Sequence, residues 1–333
     1  MKAIVRYLDP SKGFECREVP IPKVVPGHAL VKVMASPINP SDEYSAKGMF
    51  PPMGKEPFCC GSEGAGEIIE IGEGVPKEML GKRVAFGMGR PSQEQFGCWC
   101  QFALVPYEGC FVVDSSWKYE DVCGFISNPL TCFGMLDIVK KKKQSAFVHT
   151  AAASGLGKML LGLCKKEGIE IICVVRKTSA VELLKSLGAK YVLNSTETTF
   201  DKDLSALCTK LGAKICFDAI AGEMTNRILG AMPAKSSIYI YGALGGHIKE
   251  LNPFHIAFKD SRVKGYTVMQ APFMHKPGGI QEKLQCVADD FKSGSRTFKT
   301  YVAKTHKLEE CQEAVGNFMK FAEKGKTVFL PNA

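Results

Sequence analysis

Two periodicities divide the chain. In the first ~120 residues short apolar runs alternate with polar positions between Gly and Pro breaks. This pattern predicts strands at Ala3–Leu8, Ala29–Met34, Gly66–Ile71, Arg83–Phe86 and Phe102–Val105. Pro26-Gly27, Gly72-Glu73-Gly74 and Pro106-Tyr107 read as the turns between them. From about residue 120 to about 270 the period changes. Apolar runs near Phe147, Ile171, Tyr191, Ile215 and Ile238 alternate with helical spacing near Lys158, Val181, Leu204 and Asn226. That alternation predicts an α/β fold built on a doubly wound parallel sheet. The tail predicts a helix over Ile280–Phe291, another over Leu308–Glu323 and a closing strand, Thr327–Leu330.

One junction in the second region carries candidate chemistry. The apolar strand at Phe147 runs into Ala151-Ala152-Ala153-Ser154-Gly155-Leu156-Gly157, and a helix with Leu156, Met159, Leu160 and Leu163 at helical spacing follows. Small residues there let backbone N–H groups approach a pyrophosphate at a helix N-terminus. Ala152, Ser154 and Gly157 take the three glycine places of the G-x-G-x-x-G pattern, a loose fit that an ordinary strand–turn–helix also offers. The next strand, Ile169 to Val175, ends on Arg176 and Lys177. An acidic residue at that place binds the ribose 2′-hydroxyl of NAD and repels a 2′-phosphate, whereas an Arg grips the phosphate. The expected cofactor is therefore NADPH rather than NADH. A solvated basic loop end is the plainer alternative.

Composition narrows the picture. A chain of 333 residues can bury two cores. Hydrophobic residues make up 45% and charged residues 23%, ordinary for a globular protein, and no run of 18 apolar residues predicts a membrane span. Met1–Val5 lack the layout of a secretion signal, and the expectation is a cytoplasmic protein. The 14 cysteines are then expected as reduced thiols, most of them small core residues. Cys59-Cys60 and Cys98-Trp99-Cys100 lack the C-x-x-C spacing of a structural zinc site. The net charge of +9 suits an anionic cofactor, while Lys140–Lys143 reads as a solvated helix end.

Several motifs together resemble the medium-chain dehydrogenase/reductase superfamily. They are Ile38-Asn39-Pro40-Ser41-Asp42, Gly61-Ser62-Glu63-Gly64-Ala65-Gly66, Ile71-Gly72-Glu73-Gly74-Val75, the Ala152–Gly157 turn, Ser186-Leu187-Gly188-Ala189, Phe217-Asp218 and Tyr241-Gly242. The resemblance implies a GroES-like β-rich catalytic domain from residues 1–120 plus 270–333, and a Rossmann NADPH-binding domain from 121–269. It also locates where zinc-dependent members keep their metal ligands. Asn39 stands in place of a Cys, Ser62 in place of a His, and the third ligand falls near Ser127. None is a soft ligand, and Gln93 to Gly97 leave no room for a structural-zinc lobe, so no metal is expected.

Zinc-free relatives reduce quinones or electron-poor C=C bonds. The quinone oxidoreductase (zeta-crystallin-like) group is similar at Asn39, Asp42 and Tyr44 before Gly48. The trans-2-enoyl thioester reductases, acting on CoA or acyl-carrier-protein esters, are similar at Pro37–Asp42, Asn128–Thr131, Ala152–Gly157 and Phe258–Tyr266. Their proton-donating Tyr is replaced here by Phe50, which has no proton to give. The expectation is NADPH-dependent reduction of a small quinone or enone, with enoyl-thioester reduction as the alternative.

Tyr44 and Asn39 are the candidate catalytic residues, able to donate a phenolic and an amide hydrogen bond to the substrate oxygen or to the ribose. Asn39, Thr131, Ala152, Ser154, Gly155, Leu156, Gly157, Arg176, Lys177, Gly242, Ala243 and Leu244 are the candidate cofactor contacts. Asp42 reads as a turn or helix cap, His149 as a buried strand residue, and Asp218 as either structural or cofactor-binding. Pocket shape is expected to depend on Phe50, Pro51, Pro52 and Gln270–Phe273. A different class, an NADPH-binding sensor, structural or RNA-binding protein, fits the charge, but no interleaved aromatic–basic pattern supports nucleic-acid stacking. Relatives imply a homodimer or homotetramer, with a strand near Ser237–Tyr241 as a possible sheet extension.

Overall fold

The computed structural model describes residues 1–49, 56–87 and 97–333. Phe50, Pro51, Pro52 and most of Gln93 to Gly97 lie outside the described residues. The chain forms two compact units, Met1–Pro129 with Leu284–Ala333, and Leu130–Lys283.

The first unit is built of β-sheets. Its strands are β1 (Lys2–Arg6), β2 (Phe14–Glu18), β3 (His28–Pro37), β4 (Phe58–Cys59), β5 (Glu63–Ile71), β6 (Arg83–Gly87), β7 (Phe102–Pro106) and β8 (Cys110–Val112). A short helix α1 (Pro40–Ala46) follows β3, and α2 (Tyr119–Val122) follows β8. β1 pairs antiparallel with β2 and β4, while β3 pairs with β5 and β7. Alternation along β3 and β5 sends Val31, Val33 and Ile68 inward, and these meet Ala3, Val5 and Phe86 in one core.

The second unit is the doubly wound α/β domain. It begins in α3 (Ser127–Lys141) and alternates β9 (Ala146–Thr150), α4 (Gly155–Glu167), β10 (Glu170–Val175), α5 (Thr178–Ser186), β11 (Tyr191–Asn194), α6 (Phe200–Leu211), β12 (Ile215–Asp218), α7 (Gly222–Ala231) and β13 (Ser237–Ile240). A short α8 (Pro253–Ala257) and β14 (Arg262–Gly265) follow. The six strands lie in the order β11-β10-β9-β12-β13-β14, all parallel. β9 and β12 are buried along their whole length, as a sheet covered on both faces requires. The order reverses between β9 and β12, and in open sheets of this kind ligands bind at the carboxyl ends beside that switch.

The chain then runs through α9 (Gly279–Lys292), β15 (Val302–His306), α10 (Cys311–Asn317) and β16 (Lys326–Phe329). β16 pairs with β3, so the tail completes the first unit. Three details differ from the sequence pattern. The expected helix over Leu308–Glu323 is a 3-10 turn, then α10, then a second 3-10 turn. Gly316 and Asn317 are weak helix formers and fall where α10 stops. The strand at Ser237–Tyr241 cannot extend a sheet outward, because β13 is paired on both sides, by β12 and β14. Finally, the stretch Tyr119–Lys141 is long and apolar enough to cross a membrane, but most of it is buried inside the protein, the pattern of a core helix.

Candidate active site

The turn after β9 is narrow for a physical reason. Ala151 sits at φ 50°, in the left-handed region, and Ala152 is fully buried. A Cβ on Gly157 would come within 2.2 Å of the Ala152 carbonyl oxygen, so only glycine lets α4 start this close to the strand. Ser154 is the N-cap of α4, and its Oγ accepts the Gly157 N–H at 3.1 Å. Gly155 and Leu156 complete the first turn. The Ala152 N–H donates to the Val174 carbonyl at 3.3 Å, tying this turn to the end of β10.

Neighbouring strand ends converge on the same place. Asp218, at the end of β12, accepts from Thr150 Oγ1 at 2.8 Å, from the Ile220 N–H at 2.9 Å and from Thr225 Oγ1 at 2.8 Å. Thr150 Oγ1 in turn accepts the Ala219 N–H at 2.8 Å. These three bonds tie the ends of β9 and β12 to α7, a structural role for the buried Asp218. After β13, the Leu244 N–H donates to Ala219 O at 3.0 Å, and a Cβ on Gly242 would lie 2.8 Å from that oxygen. The candidate residues Ala152–Gly157 and Gly242-Ala243-Leu244 thus border one edge of the sheet, with Ala243 exposed. Arg176 and Lys177 follow β10 directly and are exposed. Thr131 lies on α3, and its carbonyl accepts the Tyr266 hydroxyl at 3.0 Å. A Cβ at Gly134 would meet that hydroxyl at 2.3 Å.

His149 is a buried strand residue. Burial drives its pKa down to about 3, so the ring is neutral, and its Nε2 lies 2.8 Å from the Tyr241 hydroxyl.

In the first unit Asn39 and Asp42 open α1. The Asp42 carboxylate accepts the Asn39 backbone N–H at 2.8 Å, so it caps the helix, and its burial raises its pKa to about 6. Asn39 Nδ2 donates to Glu63 Oε1 at 2.8 Å, and the Lys326 ammonium donates to Asn39 Oδ1. Glu63 is wholly buried, and its second oxygen accepts the Ile126 and Ser127 N–H groups at 3.2 and 2.8 Å. Burial lowers the pKa of Lys326, against the opposing pull of Glu63 and Asp42. Tyr44 is half-buried on α1. Glu63 and Lys326 were missed as functional residues. Glu63 lies inside a quoted motif, but nothing near it in the sequence announces that a lysine at the start of β16 completes its network.

Residues 25–115 match the alcohol dehydrogenase GroES-like domain, and residues 155–287 match the family described as zinc-binding dehydrogenase. A Mesorhizobium loti protein assigned as an NADPH:quinone reductase is 30% identical and superposes with a TM-score of 0.85, covering 99% of this chain and 98% of that one. Quinone oxidoreductase from Escherichia coli, solved with NADPH, superposes with a TM-score of 0.84 at 19% identity, over 99% of this chain and 100% of that one. The mitochondrial enoyl-[acyl-carrier-protein] reductase of Bos taurus is 24% identical over 294 residues, 87% of this chain and 78% of that protein. The fold and both family matches define an alcohol-dehydrogenase-like oxidoreductase. The chain belongs to the medium-chain dehydrogenase/reductase superfamily, in its quinone oxidoreductase group. It is a reductase that uses a nicotinamide cofactor on a small-molecule substrate.

The metal in the family's description does not fit the residues around Glu63. An amide, two hydroxyl-bearing residues at 62 and 127, and an ammonium surround that carboxylate. Zinc takes imidazole, thiolate or carboxylate ligands, and Asn39, Ser62 and Ser127 offer none of these. The dinucleotide does fit the second unit, because glycine at 157 lets the N-terminus of α4 pack against the turn after β9, beside the carboxyl ends of the parallel strands.

Proposed function

We propose that the protein is an NADPH-dependent reductase of quinones and α,β-unsaturated carbonyl compounds that works without a metal. The observation that carries this reading is the buried Asn39–Glu63–Lys326 network at the place where zinc-dependent relatives would hold their ion. Oxidising an unactivated alcohol calls for a Lewis acid or strong base at the oxygen. An electron-poor acceptor needs only a well-placed hydride donor and a hydrogen bond to the oxygen that gains charge.

Bound NADPH supplies the hydride. The chain binds and orients it. The backbone of Ala152, Ser154, Gly155, Leu156 and Gly157 faces the pyrophosphate, and Arg176, with Lys177 beside it, holds the 2′-phosphate. Arg176 is exposed and has no ion-pair partner among the described residues, so it is available for that contact. Thr131 and Gly242-Ala243-Leu244 flank the nicotinamide end. Tyr44 supplies a phenolic proton to the substrate, and Asn39 keeps a second amide N–H beyond the one it gives to Glu63.

A second reading, reduction of trans-2-enoyl thioesters, draws support from the Bos taurus relative. NADPH oxidation by the metal-free protein, with an aromatic ortho-quinone in one assay and a trans-2-enoyl thioester in the other, separates the two. Faster turnover of the quinone supports the proposal, and faster turnover of the thioester replaces it with the second reading. No turnover of either refutes both. Tyr44→Phe should lower turnover about tenfold or more if the phenol delivers the proton, and unchanged turnover removes Tyr44 from the mechanism.

We also infer a homodimer or homotetramer. β14 is an edge strand among the described residues, and Phe254 and Phe258 stack at 5.6 Å nearby in sequence while 64% and 80% exposed. Sedimentation velocity at micromolar concentration tests this, a monomer being the contrary result.

A further inference from the structure

β15 ends on His306, a 3-10 turn over Leu308–Glu310 follows, and α10 begins at Cys311. This reversal gathers His306, Glu310 and Glu313. One ligand atom from each lies within 4.8 Å of the others. His306 is only 5% exposed, because β15 pairs it with the buried Phe329 of β16. Its Nδ1 is buried and has no hydrogen-bond partner, although it lies 3.6 Å from Glu310 Oε2. A buried ring nitrogen left unsatisfied costs on the order of 1–3 kcal/mol, so its orientation toward two carboxylates calls for an explanation.

We propose that His306, Glu310 and Glu313 form a binding site for a divalent cation of the zinc class. The site uses none of the residues around Glu63 and stands independently of the proposed reaction. One imidazole and two carboxylates are a zinc ligand set, with a fourth position left for water. Zinc–nitrogen and zinc–oxygen bonds of about 2.0–2.2 Å in a tetrahedron put neighbouring ligand atoms roughly 3.3–3.6 Å apart. The 3.6 Å between His306 and Glu310 already matches that spacing, and Glu313 has to close only part of its gap.

The surroundings hold both carboxylates in place. The Lys307 N–H donates to Glu310 Oε2 at 2.7 Å, and Lys304 Nζ donates to Glu313 Oε1 at 2.8 Å. Outer partners of this kind orient ligands in metal sites. Magnesium and calcium are disfavoured, since they prefer six or more oxygen ligands to an imidazole. A bound ion would tie the end of β15 to α10.

The test uses the full-length protein after chelation, titrated with zinc chloride in a calorimeter and with cobalt chloride by visible absorption. The expected result is a saturable site, a tetrahedral cobalt spectrum and a rise in Tm on zinc addition. Glu313→Gln changes an exposed residue and leaves the fold intact, and it should weaken zinc binding about tenfold. His306→Gln should abolish the cobalt spectrum. Zinc binding and Tm in Glu313→Gln equal to those of the parent would overturn the proposal. So would a parent protein that binds no zinc, and in that case His306 and Glu310 form only an ion pair.

Discussion

The network around Glu63 makes a quantitative claim. Glu63 is buried and takes three N–H donors, from Asn39 Nδ2, Ile126 and Ser127. Lys326 reaches it through Asn39, donating to the amide oxygen. Replacing Lys326 by Met keeps the length of the side chain and removes the charge. Breaking one side of a buried charge pair costs about 3–5 kcal/mol. The contact here is mediated by an amide, and the three N–H donors still solvate the carboxylate, so the lower figure of about 3 kcal/mol applies. Glu63→Gln should cost about the same, because it removes the charge facing the half-buried Lys326 ammonium and turns an amide N–H toward the Ile126 and Ser127 donors. The double variant Glu63→Gln/Lys326→Met should cost less than the sum by about 1–3 kcal/mol, since neither lost charge strands the other. Urea unfolding followed by tryptophan fluorescence measures this, and both tryptophans, Trp99 and Trp117, lie in the unit that contains the network. Additivity within about 0.5 kcal/mol would refute the coupling.

Arg176→Ala should weaken NADPH binding about tenfold and leave NADH binding unchanged, a selective loss of about 1.4 kcal/mol that nucleotide titration can read. An equal loss for both nucleotides argues against a 2′-phosphate contact. His149 is neutral with a pKa near 3, against an ordinary 6.5, so its contribution to stability is complete above pH 6.5 and is lost as pH falls toward 3. His149→Phe should remove a slope of about 1.4 kcal/mol per pH unit from that window of the stability curve, and an unaltered slope would count against its buried neutral state. Asp42 carries the opposite sign. Its pKa is raised to about 6 from an ordinary 3.8, so the parent should gain stability relative to Asp42→Asn as pH falls from 6 toward 4, with no further change above pH 7. Denaturation midpoints at several pH values decide it, and a constant difference between the two proteins is the contrary outcome.

How far the sequence could be read depended on whether a feature is local. The strands of the parallel sheet were legible because β9, β10 and β12 are buried along continuous apolar runs. Helix α4 was legible because its apolar positions repeat at helical spacing after a small-residue turn. Strands β2 and β15 were not, since exposed charged residues interrupt them and pairing with distant segments stabilises them. Helix α1 reads locally as an Asn-Pro-Ser-Asp turn, and only its cap gave it away. The Asn39–Glu63–Lys326 network joins three segments spread over most of the chain, so no window of sequence contains it. The cluster at His306 is short-range, but its spacing becomes visible only once β15, the turn and α10 are set against each other.

The two candidate regions share a physical device. Asp218 uses its carboxylate to gather Thr150, Thr225 and the Ile220 N–H, and Thr150 then takes the Ala219 N–H. Glu63 does the same for Asn39, Ile126 and Ser127. Each buried carboxylate has its oxygens satisfied by loop donors, and the loops it holds are those that carry candidate ligand contacts. Each acid accepts three hydrogen bonds in its buried place, which fits an anchoring role for it. Both reduce the freedom of turns that would otherwise have to order on binding, which saves roughly 1–2 kcal/mol per residue already fixed. This accounts for acids at the end of β12 and the start of β5 in an enzyme whose hydride comes from a cofactor. Under the proposed reaction, the chain's own share of catalysis is mostly the positioning of Tyr44, Asn39 and the dinucleotide turn.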